Sequence, residues 1–168
     1  DLVKNTGIHL DNNQIQLRFF NIHKMLARQF FSQFPIDLQR SGKKLSDINK
    51  IVFLGYGDFA KAMLVQAMRI FHISVENDLK IAVYSEQADK DRNYFKEQYP
   101  KADKIFPIEF HNFQGTYNEL VAREELMEKG DETLFITAFD QDQTNLNTAL
   151  ELLDKTQNSK FPIYVLNA

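Results

Sequence analysis

The residues of this 168-residue chain best suited to chemistry stand between Gly55 and Ala60. Gly55-Tyr56-Gly57-Asp58-Phe59-Ala60 fits G-x-G-x-x-A, a spacing that lets a backbone turn receive a pyrophosphate. Gly55 permits a tight turn out of a strand, Gly57 presents bare backbone to the phosphates, and small Ala60 lets the next helix lie close to the sheet. The first turn of that helix then offers free N–H groups and a partial positive charge. Such a pattern also occurs in turns that bind nothing. Here it follows the apolar run Ile51-Val52-Phe53-Leu54 and opens a helix-period segment, which is the context the chemistry requires. Asp58 brings a carboxylate near the phosphate position, and as a helix N-cap it has a purely structural explanation.

A dinucleotide site also needs an acid at the end of the second strand to take both ribose hydroxyls. With Ile81-Ala82-Val83-Tyr84 as that strand, Ser85 holds the position and Glu86 follows. Glu86 turned inward would favour NAD. Without a carboxylate there, Lys90 or Arg92 could meet a 2′-phosphate, as in NADP. All three also read as solvated surface charges. The residues thus describe an adenosine site better than they name its cofactor, and ATP, ADP and AMP stay open beside NAD and NADP.

The loop after the fourth candidate strand carries Asp140, Asp142 and Asn145. Loops at strand C-termini line the crevice of open α/β sheets, so these side chains are placed to face a ligand, with helix capping by Asp142 as the alternative. Asp140, Asp142, Thr144 and Glu151 also mimic a calcium-loop spacing, but Asn145 replaces its invariant glycine and the segment from Gln143 has helical character. His9, His23, His72 and His111 show no metal-ligand spacing, and no serine sits in a nucleophile elbow. No catalytic constellation is evident, which argues for binding rather than catalysis.

Positioning these loops takes an alternation of strands and helices. Candidate strands run Lys50 to Leu54, Lys80 to Ser85, Lys104 to Glu109, Thr133 to Ala138 and Pro162 to Leu166. Candidate helices run Asp58 to Phe71, Ala88 to Gln98, Thr116 to Lys129 and Gln143 to Lys155. Continuously apolar strands separated by helices predict an α/β fold: a Rossmann-like, doubly wound parallel sheet of about five strands in the order 3-2-1-4-5. Ahead of it, Ile15, Phe19, Ile22, Leu26 and Phe30 recur at helical spacing, with Pro35 expected to end that amphipathic helix. Its aromatics, among them Phe20, Phe31 and Phe34, demand cover, by packing on the domain or on a partner chain rather than as a free linker. Residues 1–48 are therefore assigned to a helical lead-in and 49–168 to the nucleotide-binding domain.

Composition is that of a folded, water-soluble chain, with 43% hydrophobic and 26% charged residues. A formal charge of −3 from interspersed acids and bases gives no stripe for a nucleic acid. The absence of cysteine excludes disulfides and thiolate chemistry and fits a reducing compartment. No apolar stretch nears the ~20 residues of a membrane span, and no signal peptide opens the chain. A cytoplasmic location is the expectation. Beginning at Asp1 and stopping just after Ile163-Tyr164-Val165-Leu166, the chain reads as a piece of something longer.

Three blocks resemble the TrkA N-terminal, or RCK, domains that regulate potassium transporters and channels. They are Ile51 through Ala60; Tyr84-Ser85-Glu86, followed by a helix and Tyr99-Pro100; and Phe135-Ile136-Thr137-Ala138-Phe139-Asp140-Gln141-Asp142-Gln143-Thr144-Asn145-Leu146. The last is the most distinguishing, because every Rossmann protein shares the glycine turn. The resemblance implies a non-catalytic sensor of NAD(H) or an adenine nucleotide, working in homodimers or larger assemblies and alongside other domains of its chain. By position, Gly55, Tyr56, Gly57, Asp58 and Phe59 would form the phosphate loop, Ser85 and Glu86 would meet the ribose, and Thr137, Ala138, Asp140 and Asn145 would flank the far side of the ligand. More loosely, the segment from Phe20 to Pro35 is similar to the lead-in of bacterial multidomain proteins in which such a domain precedes others, sometimes a ryanodine-receptor-type module. The rival readings are an NAD(P)-dependent oxidoreductase without its substrate domain, and a Rossmann scaffold that has lost its ligand.

Overall fold

The computed structural model describes residues 21–40, 44, 47–71, 79–104, 107–123, 126, 133–155 and 163–165. Its sheet has five strands, all parallel, in the order β3-β2-β1-β4-β5. They are β1 (Lys50–Leu54), β2 (Lys80–Ser85), β3 (Ile108–Asn112), β4 (Thr133–Thr137) and β5 (Ile163–Val165). The helices are α1 (Ile22–Arg40), α2 (Asp58–Phe71), α3 (Ala88–Gln98), α4 (Tyr117–Val121) and α5 (Asp142–Lys155). This is the Rossmann-like arrangement expected from the alternation, with the additional N-terminal helix.

Central β1 and β4 are buried along their whole length, because helices cover both faces of the sheet. Successive side chains point to opposite faces. Ile51 and Phe53 join one core with Met63, Leu64 and Phe71 of α2, while Val52 and Leu54 join the other with Leu120 and Leu152. Helix α1 is part of the first core through buried Ala27, Phe31 and Phe34. Phe30 and Phe34 also pack on Tyr164 of β5, with ring centroids 4.7 and 5.6 Å apart. The aromatic face of this helix is therefore covered by the domain itself; Ile15, Phe19 and Phe20 lie outside the described residues.

Several boundaries differ from expectation, most of them for a local reason. Helix α1 continues past Pro35 to Arg40, since proline's φ is helical and its cost is chiefly one hydrogen bond, the one to the carbonyl of Phe31. Strand β3 begins at Ile108 rather than Lys104. Residues Ala102–Lys104 form a 3₁₀ turn, and Pro107, lacking an N–H, contributes only its carbonyl, which accepts from Ile81 N at 3.1 Å. The strand then runs on through His111 and Asn112, which pair with Tyr84 and Ser85. Helix α4 opens on a capping box between Thr116 and Glu119 but ends at Val121, where Arg123 N turns to the Leu120 carbonyl at 3.1 Å. Strand β4 ends at Thr137, one residue before the expected Ala138, and α5 starts one residue early at Asp142.

Candidate functional site

The sheet order places the break between oppositely directed crossovers at β1 and β4, so the loops after those two strands part and leave a crevice. The glycine turn forms its floor. Gly55 N donates to Tyr84 O at 2.9 Å, and Ala138 N donates to Leu54 O at 2.7 Å, so the turn is tied to the ends of both β2 and β4. Gly55 has φ +96°, and a Cβ there would lie 2.5 Å from Phe139 N. Only glycine satisfies both demands. At Gly57 a Cβ would strike only the Asp140 carboxylate, an exposed and rotatable group. Gly57 thus faces open space that the side chain of Asp140 presently fills.

The crevice has two chambers that share Tyr56, Gly57, Phe139 and Asp140. One, of about 420 Å³, lies toward β2 and is bounded by Gly55, Ser85, Glu86, Gln87, Asp91 and Thr144 as well. The other, of about 340 Å³, lies over the start of α2 and toward β4, bounded further by Asp58, Phe59, Ala138 and Asp142 and by the side chains of His23 and Lys61. In any α-helix the first N–H groups lack intrahelical acceptors, so the start of α2 at Asp58 presents donors to this second chamber.

At the end of β2, buried Ser85 donates its hydroxyl to Asp91 Oδ2, and Gln87 N donates to Ser85 Oγ at 3.0 Å. The carboxylate absent from the strand end is supplied from the first turn of α3. Arg92, an expected candidate for a 2′-phosphate, is turned away: it donates to Phe110 O at 2.7 Å and pairs with Asp89 at 3.3 Å. Lys90 donates to Gln87 Oε1 at 3.3 Å. Neither lines the crevice.

Asp58 is the first residue of α2 and pairs with Lys61 at 2.9 Å, rather than capping the helix. The hydrogen bond and charge of Lys61 hold the Asp58 carboxyl below the usual carboxylate range. Tyr56 stands where both chambers meet, against Phe110 with ring centroids 5.4 Å apart. Burial, then the nearby Asp91 carboxylate, pushes its phenol far above its ordinary value, so the hydroxyl stays a neutral donor.

Nine of the eleven expected site residues line these chambers: Gly55, Tyr56, Gly57, Asp58, Phe59, Ser85, Glu86, Ala138 and Asp140. Thr137 and Asn145 do not. Thr137 is buried and donates to Tyr164 O at 3.4 Å. Asn145, 1% exposed, accepts from Phe139 N at 2.6 Å and donates to Phe139 O at 2.9 Å. It fixes the loop that carries Asp140 instead of facing a ligand. Sequence reasoning missed Asp91 and His23 as lining residues. Only the packing of α3 on β2 and of α1 on α2 brings them in, although an Asp in the first turn after Ser85 was a signal available for the former. Among the described residues no group of three or more acidic or histidine side chains could hold a metal, and α5 is already helical through Thr144 and Asn145, so the calcium-loop spacing has no loop. Comparison of the chain with protein families, curated proteins and solved structures gave no match. The likeness to TrkA N-terminal domains therefore rests on its three sequence blocks. Among the described residues no helix is long and apolar enough to cross a membrane.

Proposed function

We propose that this chain is a regulatory, non-catalytic domain that senses NAD(H) or an adenine nucleotide. The observation that carries this reading is the hydrogen-bonded Ser85–Asp91 pair facing the glycine turn across one crevice. Adenosine would lie in the chamber toward β2, its ribose hydroxyls on Asp91, which already accepts the Ser85 hydroxyl. The phosphates would cross Gly57 onto the start of α2, with the Lys61 ammonium and the His23 ring nearby as donors. For that, the Asp140 side chain must swing away from Gly57. A carboxylate at Asp91 repels a 2′-phosphate, so the reading favours NAD over NADP. Ligand would act as a signal by binding one arrangement of the domain and its neighbours better than another, which suits control of a potassium transporter, a channel or another effector module.

Calorimetric titration with NAD, NADH, ATP, ADP and AMP tests this reading. Saturable binding of at least one is expected, and absence of binding to all five by folded protein contradicts it. One observation favours a second reading, a scaffold that keeps the fold without a nucleotide. Among the described residues, Asp140, Glu86 and Asp91 give the chamber toward β2 three carboxylates and none gives it a cation. That charge disfavours a polyphosphate and predicts that AMP or NAD binds better than ATP if anything binds.

A further inference from the structure

A further cavity of about 410 Å³ adjoins the crevice beyond Tyr56 and Lys61, between α1, α2 and α3. Helix α1 contributes Lys24 and Arg28, four residues apart and so on one face. Helix α2 contributes Lys61 and Arg69, and α3 contributes Tyr94 and Tyr99. The floor is apolar, made by Ala62, Val65 and buried Phe95.

Among the described residues Asp58 is the single carboxylate of the lining, and it is engaged by Lys61 at 2.9 Å. Lys61 also lies 5.8 and 5.9 Å from the ring centroids of Tyr56 and Tyr94, so its position is held by the walls of the cavity. Among the described residues no carboxylate lies within ion-pair distance of Lys24, Arg28 or Arg69. Three cations thus converge on one cavity in a chain whose formal charge is −3. Like charges gathered without counter-charges repel one another, and a multivalent anion relieves that repulsion while the guanidinium groups offer paired donors. Two phenols at the rim add neutral donors.

We propose that this groove is a second binding site, for a small compound carrying at least two phosphate charges. It adjoins the crevice over the glycine turn, sharing His23, Tyr56, Asp58 and Lys61 with it, while Lys24, Arg28 and Arg69 belong to the groove alone. The volume suits a phosphorylated metabolite rather than a macromolecule, and the apolar floor suits a short organic moiety between the anion and Phe95.

Inorganic pyrophosphate is the probe, measured by calorimetry on the whole chain, with the Arg28→Gln/Arg69→Gln double variant and the Gly57→Asp variant alongside. The proposal expects pyrophosphate to bind, the double variant to lose at least tenfold in affinity while keeping its melting temperature, and Gly57→Asp to bind as the parent does. If the double variant itself melts early, Lys24→Gln replaces it with the same expectation. Absence of pyrophosphate binding to the folded parent overturns the proposal. So does binding that survives the arginine substitutions, or that is lost in Gly57→Asp, since the anion would then sit at the glycine turn. Nucleotide titration of the double variant reads the crevice separately, so failure of either site is seen without the other.

Discussion

The hydroxyl of Ser85 at the end of β2 donates to the carboxylate of Asp91 in the first turn of α3. A serine thus stands where a ribose-binding acid would close the strand, and the acid reaches the same place from the next helix. The consequence for the proposed ligand is direct. Asp91→Asn keeps a partner for Ser85 but loses the charged acceptor. Affinity for NAD is expected to fall by roughly 10- to 100-fold, the equivalent of about 1.5–3 kcal/mol for a hydrogen bond to a charged group. Preference for NAD over NADP should shrink in the same variant, and paired titrations of both nucleotides check this. An unchanged NAD to NADP ratio would remove Asp91 from ribose recognition.

The two glycines of the turn are expected to separate stability from binding. Gly55→Ala places a Cβ 2.5 Å from Phe139 N at φ +96°, against backbone that cannot yield. Its cost should reach about 1–3 kcal/mol or more, visible as a drop of several degrees in Tm. Gly57→Ala displaces only the exposed Asp140 side chain and should melt close to the parent while binding nucleotide more weakly. Circular dichroism melts of both variants, with titration of the second, decide the matter; equal destabilisation by the two would contradict it.

Asn145 serves the loop that carries Asp140. Asn145→Ala removes the side-chain partners of the half-buried Phe139 N–H and carbonyl, and the expected loss is about 0.5–1.5 kcal/mol per hydrogen bond. Urea unfolding measures it. Asn145→Asp keeps an acceptor for Phe139 N but sets a buried carboxylate against Phe139 O, and should lose at least as much as the alanine variant.

Tyr56 predicts an alkaline signature. Its folded phenol holds its proton more tightly than the unfolded one because of burial and Asp91. Its contribution is therefore complete below the unfolded pKa of about 10 and declines as pH rises from there toward the higher folded value. Unfolding of parent and Tyr56→Phe should converge or cross in stability between about pH 9 and pH 11. A constant difference across that range would place the phenol in an ordinary aqueous setting.

Much of the fold was legible because two signals coincide at its centre. The bounds of β1, β2, α2 and α3 emerge as read, since apolar runs end where Gly55 or Ser85 forces a turn and a helical period begins. Elsewhere hydrophobicity misled. The candidate strand from Lys104 opens instead in a 3₁₀ turn, and β3 starts at Ile108, after a Pro107 that gives the ladder only its carbonyl. Pro35 reads as a stop, but the buried aromatics of α1 hold that helix against the sheet's covering layer. Within the site, residues on the glycine turn were legible because their chemistry is local. Asp91, His23 and the internal role of Asn145 were not, since each depends on a contact between elements that no spacing reports.

The central claim is that a nucleotide lies across the crevice between the glycine turn and the Ser85–Asp91 pair. Backbone amide shifts followed by NMR while NAD is titrated into the isotope-labelled chain test it most directly. The account predicts saturable shifts confined to Gly55 through Phe59, Ser85 through Asp91 and Ala138 through Thr144, all absent in Gly57→Asp. Saturable shifts centred elsewhere, or none with NAD, NADH or AMP, would contradict it.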